Sequence, residues 1–142
     1  MAQTPANQPS TRVTPVVIHN GVAYVSGQLP RQNGALVITG KVGGDVGLEQ
    51  AQMAARLSVT ACLDQIANAI GPDAKILRVL KITGFVASAR GFVQQGAVID
   101  AASDVILERY GDDGRHARSA IGVAELPHGA PVEIEMVAAV SS

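Results

Sequence analysis

The chain has 142 residues, of which 47% are hydrophobic and 16% charged, with a net charge of −1. That length suits one domain with one adequate core, and that balance excludes an intrinsically disordered polypeptide. Near-neutral charge and 3% aromatic content leave neither a basic footprint for a phosphate backbone nor stacking platforms for bases, so no nucleic-acid partner is expected.

The opening segment MAQTPANQPST is polar and uncharged, unlike a secretory signal. Residues 1–12 are expected to form a flexible arm ahead of a single domain spanning 13–142. No apolar run reaches bilayer length, so no membrane partner is expected. The lone cysteine, Cys62, leaves no intrachain disulfide and suits a reducing, cytoplasmic setting.

PVVIHNGVAYVSGQLP holds two apolar runs divided at Asn20-Gly21, a strong signal for a tight hairpin. A glycine-rich connector, GKVGGD, comes next; its spacing does not match a phosphate-binding loop. Asp45 is the expected cap of a first helix, LEQAQMAARLSVTACLDQIANAI, with Met53, Leu57, Ala61 and Ile66 near one stripe and Gly71-Pro72 at its end. Cys62 reads as a small packing residue. KILRVLKITGFVAS is apolar on both parities, which predicts a central strand covered on both faces. A second helix is predicted from about Phe92 to Tyr110, with Val98, Ala102, Ile106 and Tyr110 on one stripe and Gly111 beyond its end.

The remaining stretch, HARSAIGVAELPHGAPVEIEMVAAV, reads as two strands joined by a turn at ELPHGA. The element order is therefore ββαβαββ, an α+β fold with two helices on one face of a mixed sheet. In the last strand Val132, Ile134, Met136, Ala138 and Val140 share a face that should meet the helices. Arg118, Ala120, Gly122 and Ala124 are expected to face away from them, together with Glu133. That row of small residues predicts close approach by another subunit. If Ala124 pairs with Pro131, Arg118 and Glu133 stand on the order of 13 Å apart in one chain, too far for contact. The three histidines, His19, His116 and His128, show no metal-ligand spacing, and no metal is expected.

VSGQLP at 25–30, KITGFV at 81–86, HARSAIGVAELP at 116–127 and VEIE at 132–135 occur in this order. In this combination the chain resembles the Rid family of reactive intermediate deaminases, also called YjgF-like or endoribonuclease L-PSP proteins, and in particular a divergent branch of it. The resemblance implies a chorismate-mutase-like fold, a homotrimer, and clefts between subunits that hold small carboxylates without metal or organic cofactor. It implies hydrolysis of 2-imino acids, derived from enamines, to 2-keto acids and ammonium. Carried over residue by residue, Arg118 and Glu133 would be catalytic, the arginine gripping the ligand carboxylate and the glutamate positioning water. Ser26, Gly27, Phe85, Arg118 and Ala120 would bind substrate. The chain departs from the pattern in having no tyrosine shortly before the first strand and Ala120 where a cysteine is usual.

The residue types suit that chemistry on their own terms. A guanidinium grips a carboxylate through two parallel hydrogen bonds, a carboxylate accepts a proton from water, and a glycine lets backbone approach a ligand. One other function fits the same residues, a non-catalytic trimeric binder or sensor of small carboxylates; the ribonuclease or translation-inhibitor role that the family label suggests is less expected, because the chain has no basic face and no aromatic platform. His116 beside Arg118 is expected either to contribute a proton or to cap a strand end.

Overall fold

The computed structural model describes residues 12–142, so most of the segment read as an arm lies outside the described residues. Strands β1 (Val16–His19) and β2 (Val22–Gln28) form the first hairpin. Asn20 and Gly21 both take positive φ, 52° and 76°, as a two-residue turn between right-twisted strands requires. A small pair, β3 (Arg31–Gln32) and β4 (Ala35–Leu36), lies in the connector. Helix α1 (Leu48–Ile70), strand β5 (Ile76–Ala87), helix α2 (Gln95–Tyr110), strand β6 (Ala117–Val123) and strand β7 (Val132–Val140) complete the chain. The main sheet runs β1-β2-β7-β5-β6, antiparallel except for the β5–β6 pair. The fold is α+β, with the predicted order of major elements.

Helix α1 spans the segment the sequence predicts, but its cap differs. Its N-cap is Gly47, not Asp45, and the Gln50 side chain reaches back to accept the Gly47 N–H at 2.9 Å. Its buried stripe differs too. Ala51, Ala55, Val59, Cys62 and Ile66 are buried, whereas Met53 lies exposed. Small side chains let the helix lie close on the sheet, so the stripe was hidden by its lack of bulk. Cys62 donates to the Ile134 carbonyl at 3.2 Å, and burial pushes its thiol up to about 12. In α2 the predicted stripe holds: Val98, Ala102 and Ile106 are fully buried, Tyr110 is half-buried, and Gly111 caps the end.

The largest correction concerns the last two strands. They do not pair with each other. Strand β6 lies parallel beside β5 after an α2 crossover, in the register Ile82↔Arg118 and Val86↔Gly122. Strand β7 lies on the other side of β5, in the register Phe85↔Glu133 and Ile82↔Met136. Residues 124–131 carry the chain past β5, through a short 3₁₀ turn at Pro127–Gly129. The ELPHGA segment does turn, but it leads the chain across β5 instead of back along β6.

Parity changes with the pairing. Because Arg118 sits beside buried Ile82, it takes the helix-facing side of the sheet, with Ala120 and Gly122. A side chain at Gly122 would meet Gln95 Nε2 at 2.9 Å and Ser88 Oγ at 3.1 Å, so its smallness serves packing within the chain. In β7, Val132, Ile134, Met136, Ala138 and Val140 do face the helices and are buried. The opposite face of the sheet is not covered by either helix. Tyr24 and Ile121 are exposed there, and Thr83, Phe85 and Val137 are half-buried. Strand β5 is thus covered on one face within the chain rather than on both.

Candidate functional site

Two groups of residues carry chemistry, and they stand on opposite faces of the sheet. The first is on the uncovered face. Pairing between β2 and β7 is regular to Val25↔Met136 and resumes at Gln28↔Ile134, so Ser26-Gly27 forms a bulge. A bulge re-aims the strand and opens its local ladder. Ser26 Oγ donates to the Thr14 carbonyl at 3.0 Å, tying the lead-in segment to β2. Gly27 is where the Glu133 side chain comes to rest. A Cβ at 27 would overlap Glu133 Oε1 and stand 2.8 Å from its Cδ, so only glycine admits the carboxylate there. Phe85 is the cross-strand neighbour of Glu133 on the same face. Burial, and then the charge of Glu135 on the same face of β7, raise the Glu133 carboxyl above its ordinary value of 4.5. A carboxyl so placed holds its proton more tightly than a solvated one.

The second group is on the helix-facing side of edge strand β6. Arg118 Nη1 donates to Asp100 Oδ1 at 2.8 Å and to Ser103 Oγ at 3.2 Å. Asp100 and Ser103 are three residues apart on α2 and so share a face. His116 joins the same cluster. Its Nδ1 lies 2.6 Å from the Gly114 carbonyl and its Nε2 lies 2.9 Å from Ser103 Oγ. A carbonyl only accepts, so Nδ1 carries a proton. In the neutral ring Nε2 then accepts the Ser103 hydroxyl proton, leaving the serine lone pairs toward Arg118. The Arg118 side chain is 26% exposed. Among the described residues its Nε and Nη2 take no hydrogen-bond partner, so one edge of the fork is open to a planar anion. Ala120, two residues on, packs half-buried against the core. Ser103, Leu107, Arg115, His116 and Arg118 line a groove of about 460 Å³.

Gly27, Phe85 and Glu133 are therefore brought together, with Ser26 next in chain, while Arg118 and Ala120 are not brought to them. Strand β5 separates β6 from β7, and Arg118 pairs with Ile82 while Glu133 pairs with Phe85 three residues further on, so their backbones stand about 14 Å apart and their side chains leave opposite faces. Their separation agrees with the sequence reading, but its cause is different. Asp100 and Ser103 were not anticipated. Reading β5, α2 and β6 as one parallel crossover would have put that face of α2 over the start of β6. His116 is neither free nor a simple strand cap; it reaches Arg118 through Ser103.

The family model described as "Endoribonuclease L-PSP" matches residues 3–140. The chain belongs to the endoribonuclease L-PSP family. Protein TCP17 of Trypanosoma cruzi is 38% identical over 131 residues, covering 92% of this chain and 82% of that protein. Atu1372 of Agrobacterium tumefaciens, a protein of unknown function, superposes with a TM-score of 0.89 at 43% identity, covering 94% of this chain and 86% of that one. The L-PSP fold extends to Escherichia coli TdcF with bound serine, with a TM-score of 0.65 at 22% identity over 92% of this chain and 90% of that one. Among the described residues no helix is long and apolar enough to cross a membrane.

Proposed function

We propose that the protein hydrolyses small 2-imino or enamine acids to 2-keto acids and ammonium, in clefts where the Arg118 edge of one copy meets the Glu133 bulge of another in a homotrimer. One observation carries this reading. A single chain holds an open guanidinium edge and a partly desolvated carboxyl of raised pKa on opposite faces of one sheet, so neither half-site is complete alone. The uncovered sheet face supports self-association. It presents Tyr24, Phe85, Ile121 and Val137, whereas a freely solvated antiparallel face would be polar.

The chemistry rests on these groups. Arg118 grips the substrate carboxylate through its Nε–Nη2 edge, which fixes the imine carbon next to it. Water attacks that carbon as the C=N π pair moves to nitrogen, and Glu133 takes the proton that the water loses. Glu133 returns that proton to the nitrogen of the resulting carbinolamine. The C–N bond then breaks, and the hydroxyl proton passes to the departing ammonia as the carbonyl forms, so nitrogen leaves as ammonium. An enamine enters by first taking a proton at carbon from solvent, which gives the protonated imine. That TdcF carries bound serine is compatible with small carboxylates as ligands of this fold.

The test is complementation between two inactive variants. Arg118→Ala and Glu133→Gln should each abolish keto-acid release. Unfolded, mixed and refolded in equal amounts, they should regain about a quarter of wild-type activity, because random trimers reunite an intact arginine with an intact glutamate at that frequency. No recovery, with trimers present by light scattering, would place both groups in one chain and sink the shared-cleft reading. A binder or sensor instead keeps carboxylate affinity in Glu133→Gln and shows no turnover in wild type. Ala120, which stands where the deaminating pattern has cysteine, favours that second reading.

A further inference from the structure

We propose that the groove at the start of β6 takes ligands with two anionic groups, a 2-imino or 2-keto dicarboxylic acid, with Arg118 on the first carboxylate and Arg115 on the second. This names the substrate class of the site proposed above and rests on that reading.

The groove is lined by two guanidiniums, one imidazole, one hydroxyl and one leucine, and by no carboxylate. Each polar group differs in what it can offer a ligand. Arg118 is held at Nη1 by Asp100 and Ser103, so it presents a single fixed edge, enough for one carboxylate. His116 has no nitrogen to spare, since Gly114 and Ser103 occupy both. Arg115 is the remaining cation. Its backbone is anchored at both ends. The N–H donates to the Asp112 carbonyl at 3.1 Å, and the carbonyl accepts from Arg78 Nη2 at 2.7 Å.

The Arg115 side chain, by contrast, is held weakly. Its Nε stands 3.5 Å from Asp112 Oδ1, with the two side chains 80% and 98% exposed. A solvated pair of that kind contributes little, so exchanging Asp112 for a ligand carboxylate costs little. Arg115 and Arg118 are three residues apart, at most about 10 Å between backbones, and both side chains line one groove. Leu107, 40% exposed, gives the wall against which a methylene spacer would lie.

Calorimetry with 2-oxoglutarate and 2-oxobutyrate on the full chain tests this. Wild type should bind the diacid about two- to fivefold tighter than the monoacid, the worth of one solvent-exposed ion pair. Arg115→Gln should erase that difference and leave 2-oxobutyrate affinity unchanged, whereas Arg118→Gln should weaken both. Arg109→Gln, a charge change on the last turn of α2, should leave the preference intact. Equal binding of the two acids by wild type, or a preference that survives Arg115→Gln, or one lost equally in Arg109→Gln, overturns the proposal. If the diacid preference holds but no imine is hydrolysed, the deaminase reading falls and this one stands. If monoacid imines are hydrolysed with no diacid preference, the reverse is true. Binding of neither acid overturns both.

Discussion

Strands β6 and β7 have similar lengths and similar sequences of small and β-branched residues, yet they do opposite things. Strand β7 is the middle of the sheet, paired on both sides, and every second residue of its nine is buried. Strand β6 is an edge, paired only with β5. Each carries one charged residue of interest. In β7, Glu133 projects from the uncovered face and is partly desolvated by its neighbours. In β6, Arg118 points toward the helices and escapes burial only because the strand is at the edge, where α2 supplies Asp100 and Ser103. An inward-pointing charge on an edge strand also blocks pairing with stray strands. The comparison teaches that position in the sheet, not local sequence, decides which partners a strand charge meets and how far it is desolvated.

The most damaging way to break that division is to remove the clamp. Arg118→Ala should cost about 2–5 kcal/mol of small-carboxylate affinity if the pair is well desolvated. Arg118→Lys keeps the charge and loses the fork, so it should retain only a minor part of that affinity. Calorimetry with 2-oxobutyrate measures both. Equal affinity in the three proteins would make Arg118 a structural partner of Asp100 and nothing more.

The next effect strikes the β7 side. Gly27→Val puts a branched side chain where the Glu133 carboxyl rests, and because the clash falls on the far end of a flexible side chain, the carboxyl is displaced at a cost to stability of about 1 kcal/mol or less. Because the bulge is on the open face and the core lies behind it, the expected outcome is loss of keto-acid release with a small fall in Tm. A Gly27→Val protein with full turnover would show that Glu133 need not sit there.

The contrast between the strands also explains what was legible. In β7 one row is wholly apolar, so its face could be assigned from sequence alone. In β6 the two rows are Arg-Ala-Gly and Ser-Ile-Val, and neither row has the contrast that fixes parity. A turn signal then suggested a hairpin, and the hairpin placed Arg118 on the wrong face. The first hairpin, α2 and its stripe, the element order and the family motifs were readable because turn chemistry and side-chain size mark them. The α1 stripe was not, since Ala and Cys mark no face by bulk. Asp100 and Ser103 were unreadable as site residues because their role depends on β6 lying parallel to β5.

A smaller and subtler effect concerns pH. Glu133 is raised above its ordinary value by burial first and by Glu135 second. Its base form, which the proposed hydrolysis requires, should appear only as pH rises through that raised value. Glu135→Gln removes the repulsion, so the acid limb of the rate profile should move to lower pH. Stability runs the other way. The folded chain binds this proton more tightly than the unfolded one, so the group's stabilising contribution is complete below its unfolded pKa. It is lost as pH rises through the folded pKa. An acid limb unmoved in Glu135→Gln would assign it to another group.

The smallest expected effect tests whether Arg118 is tuned as well as held. Ser103 accepts from Arg118 and, with a neutral His116, donates to the ring, so the two residues form one chain of hydrogen bonds ending on the Gly114 carbonyl. Ser103→Ala removes the link at Arg118. His116→Asn leaves the serine in place but loses the ring that orients its proton. If they are positioning residues, each should weaken 2-oxobutyrate binding by about 1 kcal/mol, the worth of one hydrogen bond, and the double variant should add little to either single one. The loss should appear in KM more than in kcat, since the role proposed for the arginine is on the carboxylate and not on the reacting carbon. A purely structural role would lower Tm and leave the carboxylate Kd unchanged, because Asp100 would hold Arg118 without help. Coupling between Ser103 and His116 with no change in Kd would confine the pair to closing the seam between α2 and β6. It would leave Asp100, among the described residues, to orient Arg118.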